Sequence, residues 1–384
     1  MGESDSTLRS EAARHGVTLL RGIQGTAPGL RARALFPEAS FADCGSLKTW
    51  NLAEKSPDGF LGLYTRPLIV SRCETAPTFL RHLGTEGSEM AKGIILAGNP
   101  DEASAEALRM LGSALFEAEI LPPPLPSAAG LRMPEPGMVS RDLLALPPEA
   151  FCGALPETES PDSAAAYWSR WLSEYVDAAL GRQMKSRSRG PFYSLMKAAA
   201  AHCGLGLNLQ ELASESGVPV LSVRKWMTKL CESRVTRFVP PVRQPEGHRH
   251  IKRPKLFFTD TGLACYLMNF AGPSGFRSSG AFRPVIMNAL AIEMEKAVRE
   301  SGGAPSLSYY EDTNRVRVDF ILEVSQACFP VSFAENAKEI EERLRNTNVI
   351  TRAGLRLGTP TIVLPKEAEE VAESFLERAA FILV

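Results

Sequence analysis

Apolar positions along the chain fall into short runs separated by stretches with helical spacing. Residues 17–22, Val-Thr-Leu-Leu-Arg-Gly, read as a short strand closed by a Gly turn. A second apolar run, 59–70, ends Pro67-Leu-Ile-Val70, and a third, Ile-Ile-Leu-Ala-Gly at 94–98, again ends in Gly. Helical spacing lies between them, for example from Ala103 to Phe116. Strands alternating with helices in this way predict an α/β domain with a parallel sheet. From Ala164 to about Arg182 the spacing is helical again, with Trp168, Trp171, Leu172, Tyr175 and Val176 on one face. That face reads as core rather than as a platform for a ligand.

Ten prolines lie between 122 and 161, so long regular elements cannot run through that stretch, which reads as a linker or an irregular lid. Two short helices follow, Leu209–Ser216 and Leu221–Ser233, with Gly217 able to take the positive φ of the turn between them. Strands are expected at Val235–Val239 and Lys255–Phe258, and two helices followed by a hairpin is the outline of a winged helix. The last hundred residues predict a helix (Pro284–Glu300), three strands (Ser306–Tyr310, Arg315–Glu323, Cys328–Phe333), a charged helix (Lys338–Asn346), a strand (Thr361–Leu364) and a final helix.

At 384 residues the chain exceeds one ordinary core, since domains cluster near roughly 100–200 residues. The expected division is 1–121, a Pro-rich 122–163, a helical and winged-helix region 164–265, and 266–384. The net charge of −1 creates no global field toward nucleic acid or membrane, so any such binding must come from a local patch. Seven cysteines, with no C-x-x-C pair, suit buried free thiols in a reducing cytoplasm better than a disulfide framework. Met1–Arg14 has no apolar signal-peptide core, and no window approaches a membrane span, so a cytoplasmic protein without a membrane partner is expected. Ser/His/Asp catalysis lacks a nucleophile elbow, and His248 and His250, two of five histidines, sit in a basic run that would repel a metal. Met133 and Met138 read as packing residues in the Pro-rich stretch.

The stretch LNLQELASESGVPVLSVRKWMTKLCES and the later KRPKLFFTDTGLACYL resemble the helix-turn-helix and the following segment of a family of prokaryotic proteins. These pair an N-terminal AAA-type ATPase domain (AAA_14) with a C-terminal domain of unknown function, DUF4143. Gly217, Lys255, Asp260, Gly262 and Leu263 fall on the family pattern. ARALFP (32–37), SPDGFL (56–61), PLIV, IILAG and FCGALPE (151–157) extend the resemblance collinearly over most of 15–365. It implies an AAA-like P-loop-type parallel sheet domain, a winged-helix module and a PD-(D/E)XK nuclease-like α/β domain.

The chemistry the resemblance implies is substituted. A working phosphate loop needs G-x-x-x-x-G-K-[ST], whose N–H groups, Lys and hydroxyl hold phosphates and Mg²⁺. In register this chain reads Gly22-Ile-Gln-Gly-Thr-Ala27-Pro28-Gly29, so Ala27, Pro28 and Gly29 replace the second Gly, the Lys and the hydroxyl. Arg31 and Arg33, one helical turn on, should point elsewhere. Ser71 and Arg72 stand where a carboxylate pair is expected, with Glu74 three residues late, and Phe116 falls near the expected arginine. The third strand ends Gly98-Asn99 and keeps a polar tip. In the nuclease-like part Asp319 survives as a vestigial metal ligand, while Pro284, Ser332 and Ala334 replace the helix acid, the Glu and the Lys. Asp319 alone also suits an ion pair with a neighbouring Arg.

Catalytic residues, cofactor and bound metal are therefore expected to be none. Candidate contacts to duplex DNA are Ser222, Arg224, Lys225 and Lys229 on the second helix, and Arg249, Lys252, Arg253 and Lys255 in the hairpin. Leu221, Val223, Trp226, Met227 and Leu230 form the opposite, core-facing stripe, and Arg182, Lys185, Arg187 and Arg189 add a further basic group. The leading reading is a non-catalytic binding or regulatory protein that touches DNA. One alternative is an interaction subunit that assembles with itself or with an intact relative. Another is an ATP-binding ATPase, as in the parent family.

Overall fold

Alternation along each N-terminal strand sends neighbouring side chains to opposite faces of a sheet, and both faces are apolar. In the computed structural model of the protein, Val17 and Leu19, Leu68 and Val70, and Ile94 and Leu96 share one buried cluster. Leu20, Ile69, Ile95 and Ala97 belong to another. The structure describes residues 3–23, 28–86, 91–129, 131–133, 135, 137–155, 158, 160–180, 188–242, 253–270, 272–314, 316–352 and 354–384. They form two units: 1–122 with 226–235, and 123–225 with 236–384.

The first unit contains α1 (Glu3–Arg14), β1 (Val17–Arg21), α2 (Pro28–Leu35), β2 (Ser40–Asp43), α3 (Leu47–Lys55), α4 (Pro57–Gly62), β3 (Leu68–Ser71), α5 (Pro77–Glu86), β4 (Ile94–Ala97), α6 (Glu102–Arg109) and β5 (Leu115–Glu119). The five strands are parallel in the order β2-β3-β4-β1-β5. Residues of α3, α4, α5 and α6 cover one face, with Phe60, Phe79, Leu80 and Leu108 buried there, and α2 covers the other through Ala32 and Leu35. Ser46 and Asp101 cap α3 and α6 by accepting from Thr49 and Ser104 N–H groups.

Two expectations here are corrected. The apolar run from 59 begins inside α4, which Pro57 starts from its first position, and only its end is the strand β3. The helical spacing from 103 stops at Arg109, and Phe116 lies on β5, where it stacks on His15 at 5.5 Å.

The second unit contains β6 (Val139–Ser140), α7 (Leu146–Cys152), α8 (Pro161–Leu180), α9 (Arg189–Ala201), α10 (Leu209–Ser216), α11 (Val220–Glu232, whose latter half groups with the first unit), β7 (Thr236–Val239), β8 (Lys255–Phe258), α12 (Thr261–Met268), α13 (Pro273–Arg277) and α14 (Phe282–Glu300). It continues through β9 (Ser306–Glu311), β10 (Arg317–Val324), β11 (Ala327–Phe333), α15 (Ala337–Asn346), α16 (Asn348–Arg352), β12 (Arg356–Leu357), β13 (Thr361–Leu364), α17 (Glu369–Ala372) and β14 (Ala380–Leu383). Its mixed sheet runs β6-β14-β13-β11-β10-β9, with β12 beside β11. β9, β10 and β11 are antiparallel neighbours, and β11, β13, β14 and β6 are parallel.

The final helix expected from the sequence is instead α17 followed by the strand β14, whose four residues are all buried. The Pro-rich stretch is not a free linker, because β6 pairs with β14 and α7 packs into the helical part. Trp168, Trp171 and Tyr175 lie in the core, as their helical spacing implied, and form an aromatic cluster with Phe192 of α9. All seven cysteines are free thiols; Cys231 is half-buried and the others are buried. No helix among the described residues is long and apolar enough to cross a membrane.

The motif around Asp260 fastens α12 to the end of α7. Asp260 accepts hydrogen bonds from Gly262 N–H at 2.8 Å and Ala154 N–H at 3.0 Å. Thr261 donates to the Ala150 carbonyl at 2.8 Å. Burial pushes the Asp260 carboxyl up, and the two N–H donors oppose that push. The two segments approach so closely that a β-carbon on Gly262 would lie 2.2 Å from the Cys152 carbonyl oxygen. Gly262→Ala should therefore lower stability by about 2 kcal/mol or more. Gly275→Ala, at an exposed helix position with open space around it, should stay within about 0.5 kcal/mol of the parent. Urea unfolding checks both, and equal midpoints for the two variants would contradict the close approach.

Candidate functional site

Ligands of open parallel sheets bind beyond the carboxyl ends of the strands. At that end of the first unit, Pro28 is buried and its ring lies against Gly22, where an added β-carbon would meet Pro28 Cγ at 3.1 Å. A β-carbon on Gly29 would meet Ser71 Oγ at 2.4 Å, so the start of α2 is packed against the end of β3. Ala27 lies outside the described residues. Arg33 stands 4.8 Å over the Phe41 ring, engaged away from this edge.

The end of β3 carries a cation that is already paired. Arg72, in the left-handed region at φ 53°, donates through Nε to Asp43 Oδ1 at 2.6 Å and through a terminal nitrogen to Oδ2. Burial would raise the Asp43 pKa, but the Arg72 hydrogen bond, the Gly45 N–H and the Arg72 charge outweigh it and hold the carboxyl low. Glu74 turns inward toward the tip of β4. Its carboxylate accepts from Asn99 N–H at 3.3 Å, and burial pushes its pKa up. Gly98 leaves room for it: an added β-carbon would lie 1.9 Å from Glu74 Oε2. Asn99 is buried and donates through Nδ2 to the Gly22 carbonyl at 2.7 Å. In the register expected from the sequence the lysine position carries the Pro28 ring, and the Arg72 guanidinium holds Asp43, so the described residues offer Mg·ATP neither a lysine nor an open carboxylate there.

In the second unit Asp319 lies on β10 beside β11. Its Oδ2 accepts from Phe333 N–H at 2.9 Å and from Arg283 at 3.1 Å. Arg283, in the first turn of α14, also donates to the Phe333 carbonyl at 3.2 Å and lies 5.2 Å from that ring's centroid. Lys255 donates to the Asp319 carbonyl oxygen at 2.9 Å and sits 4.8 Å over the Tyr309 ring. Burial alone would push the Asp319 carboxyl up. Lys255, Arg283, the Phe333 N–H and Arg317 outweigh it and hold the carboxyl below the ordinary aspartate range. Burial pushes the Lys255 ammonium down, and Arg317 and Arg283 add to that effect against Asp319 and Glu311. Ser332 and Ala334 are buried, and Pro284 lies in the first turn of α14. A metal does not fit beside an acid already held by a guanidinium, and no cluster of three metal-ligating side chains occurs among the described residues.

The two expected helices α10 and α11 are joined by a turn, with Asn208 capping α10 through Gln210 N–H and Gly217 at φ 67° in the turn. β7 and β8 form an antiparallel pair after it. Val223, Trp226, Met227 and Leu230 are buried as a stripe on α11. Leu221, expected on that stripe, is 81 % exposed, because it lies in the helix's first turn. Arg224 and Lys225 are exposed and Ser222 is half-buried. Lys229 is half-buried, within electrostatic reach of Glu74 and Asp101. Lys255 is corrected from a surface contact to an internal cation, since its ammonium donates to the Asp319 main-chain carbonyl. Arg253 is exposed, while Arg249, Lys252, both hairpin histidines, Arg182, Lys185 and Arg187 lie outside the described residues; Arg189 opens α9 and is exposed.

Sequence reasoning missed Asp43 as the partner of Arg72, and Arg283 and Lys255 as partners of Asp319. The signal available was charge alone, with no spacing to join residues that far apart. Comparison with known proteins finds one family, described as a domain of unknown function (DUF8612), matching residues 149–274. That span contains the docking of Cys152–Ala154 on Asp260–Gly262 and the helices α10 and α11. No curated protein matches the chain.

Because folding lowers the Asp319 pKa, its interactions stabilise the protein above the ordinary aspartate pKa of about 3.9. That contribution is lost as pH falls through the lower folded value. Asp319→Ala leaves two cations without their anion and should cost about 3 kcal/mol at neutral pH. Asp319→Asn, which keeps an acceptor, should cost less and flatten the acid limb of the stability profile. Urea midpoints across the acid range check this, and an Ala variant as stable as the parent would refute the role given to the carboxylate.

Proposed function

We propose that this chain is a non-catalytic AAA/DUF4143-like binding protein that contacts the backbone of duplex DNA through the start of α11. The observation that carries the non-catalytic reading is the Arg283 guanidinium seated on Asp319. The Pro28 ring against Gly22 and the Arg72–Asp43 pair add to it in the first unit. The strand order supports the AAA-like reading, since β1 and β3 flank β4 and so bring the segments after them to one edge. Three helices, α9 to α11, followed by the β7–β8 pair support the winged-helix reading. Asp319 beside β11 supports the nuclease-like one. These are the class and lineage proposed for the chain, with the nucleotide and nuclease chemistry replaced.

Arg224 and Lys225, beside Ser222, face solvent on α11, and Arg253 is exposed at the start of β8. Such cations attract phosphates whatever the base sequence. A second reading, a module that binds a protein or a second copy of the chain, is favoured by Leu221 and Val220, exposed on the same helix turn.

Fluorescence anisotropy with a labelled duplex separates the two. With Arg224, Lys225 and Arg253 as the phosphate contacts, the log–log salt slope should be about −3. Arg224→Glu with Lys225→Glu should weaken binding to all sequences alike, and Leu221→Asp should leave it nearly unchanged. No binding at low salt, or loss only in Leu221→Asp, would favour the protein-interaction reading. Phosphate release from ATP and nicking of supercoiled plasmid with Mg²⁺ or Mn²⁺ should both stay at background. Turnover that chelation abolishes, or nicking lost in Asp319→Ala, would overturn the non-catalytic reading.

A further inference from the structure

The threonine just before the Asp260 cap of α12 is buried with an unused hydroxyl. Thr259 is 3 % exposed, and its Oγ1 has no hydrogen-bond partner among the described residues. A buried hydroxyl in that state costs the fold its full desolvation penalty. Thr259 lines a cavity of about 10 Å³, the room one water molecule takes, together with Leu125, Asp260, Ile292, Glu293 and Lys296, all of them buried. The polar side chains around it have capacity left over. Asp260 accepts one N–H on each oxygen, from Gly262 and from Ala154. Glu293 accepts from Lys296 at 2.5 Å on Oε1 and from Leu125 N–H at 3.0 Å on Oε2. Each of these oxygens keeps a further lone pair. Lys296 also donates to the Pro123 carbonyl at 3.0 Å, which leaves one of its three N–H groups.

We propose that this cavity is a binding site for one internal water molecule, which joins Thr259 and Asp260 to Glu293 and Lys296. The walls call for a molecule that both accepts and donates. The water accepts from the Lys296 ammonium, donates to the two carboxylates and gives Thr259 Oγ1 its partner. A monovalent cation of the same size would suit the carboxylates, but it repels the ammonium and can accept nothing from it. Buried waters with two to four polar partners are part of a fold and costly to remove. Here the water couples two fastenings that the direct bonds make separately. Asp260 holds α12 to the end of α7, while Glu293 and Lys296 hold the segment 123–125 to α14. The seating of that proline-rich segment therefore depends on a hydroxyl to which it makes no hydrogen bond.

Thr259→Val tests this by the sign of its effect, because valine keeps the shape and removes the hydroxyl. A hydroxyl with no partner is a penalty, so its removal would raise the urea midpoint of the full chain. A hydroxyl bonded to a water is an asset, so its removal should lower the midpoint and cut the folded-to-unfolded ratio about fivefold, the scale of one hydrogen bond. Thr259→Ser, which keeps the hydroxyl, should retain the water. Hydrogen exchange at the Leu125 amide, compared at one pH, should be faster in Thr259→Val than in the parent, since the seat of 123–125 loosens. A crystal structure of the parent should show one water within hydrogen-bonding distance of Thr259, Asp260 and Glu293. Replacing sodium chloride by choline chloride at equal concentration should leave the parent's midpoint in place. A higher midpoint for Thr259→Val, parent-like exchange at Leu125 in that variant, or a parent crystal structure with no water there would each overturn the proposal. A midpoint that falls in choline for the parent and not for Thr259→Val would overturn it as well, by assigning the site to a cation. The parent crystal structure decides the question even if the valine variant does not fold.

Discussion

A carboxylate taken out of water has to be answered by a cation or by several hydrogen-bond donors, and the second unit is organised around one such answer at Asp319. Its side chain takes the Phe333 N–H of β11 and the Arg283 guanidinium of α14, and its main-chain oxygen takes the Lys255 ammonium of β8. The elements β8 and α14 and the hairpin β10–β11 therefore meet on one residue. The arrangement holds only as a set, because removing either cation leaves a buried carboxylate under-compensated, and removing the carboxylate leaves cations repelling one another. A buried ion pair of this kind is costly to break rather than strongly stabilising in itself, which makes it a device for fixing geometry.

The same logic appears separately in the first unit. There the half-buried acid at the end of β2, Asp43, is taken up by Arg72 just after β3, and the enclosed acid, Glu74, turns to the backbone of Asn99. Phosphate chemistry in a sheet of this kind needs acids that keep free lone pairs for a metal, together with a loop of open N–H donors. Here the acids are satisfied from within and the loop position carries the Pro28 ring.

Much of the architecture was readable from periodicity. The strands β1 and β4, the helices α10, α11, α14 and α15, and the β9–β11 meander all carry apolar runs or stripes strong enough to place them. β2 and β5 were not seen, because each is short and leaves half-buried or exposed positions along its length. β14 was taken for a helix, since the Glu- and Ala-rich stretch before it has helical composition while only its last residues are strand. The pairs Asp43–Arg72 and Arg283–Asp319 were not legible, since they span 29 and 36 residues with nothing local to join them. The basic patch was over-counted for a related reason. Lys255 looks identical in sequence to the exposed Lys225, and only packing separates a solvated cation from one enclosed in the fold.

Whether guanidinium has displaced metal at Asp319 can be measured without reference to any activity. Mn²⁺ titrated into the purified protein and followed by electron paramagnetic resonance reports free ion directly. The expected result is a titration indistinguishable from that of Asp319→Ala, with no stoichiometric site, because the carboxylate is already held by Arg283 and the Phe333 N–H. A one-to-one Mn²⁺ site in the parent that disappears in Asp319→Ala would contradict it.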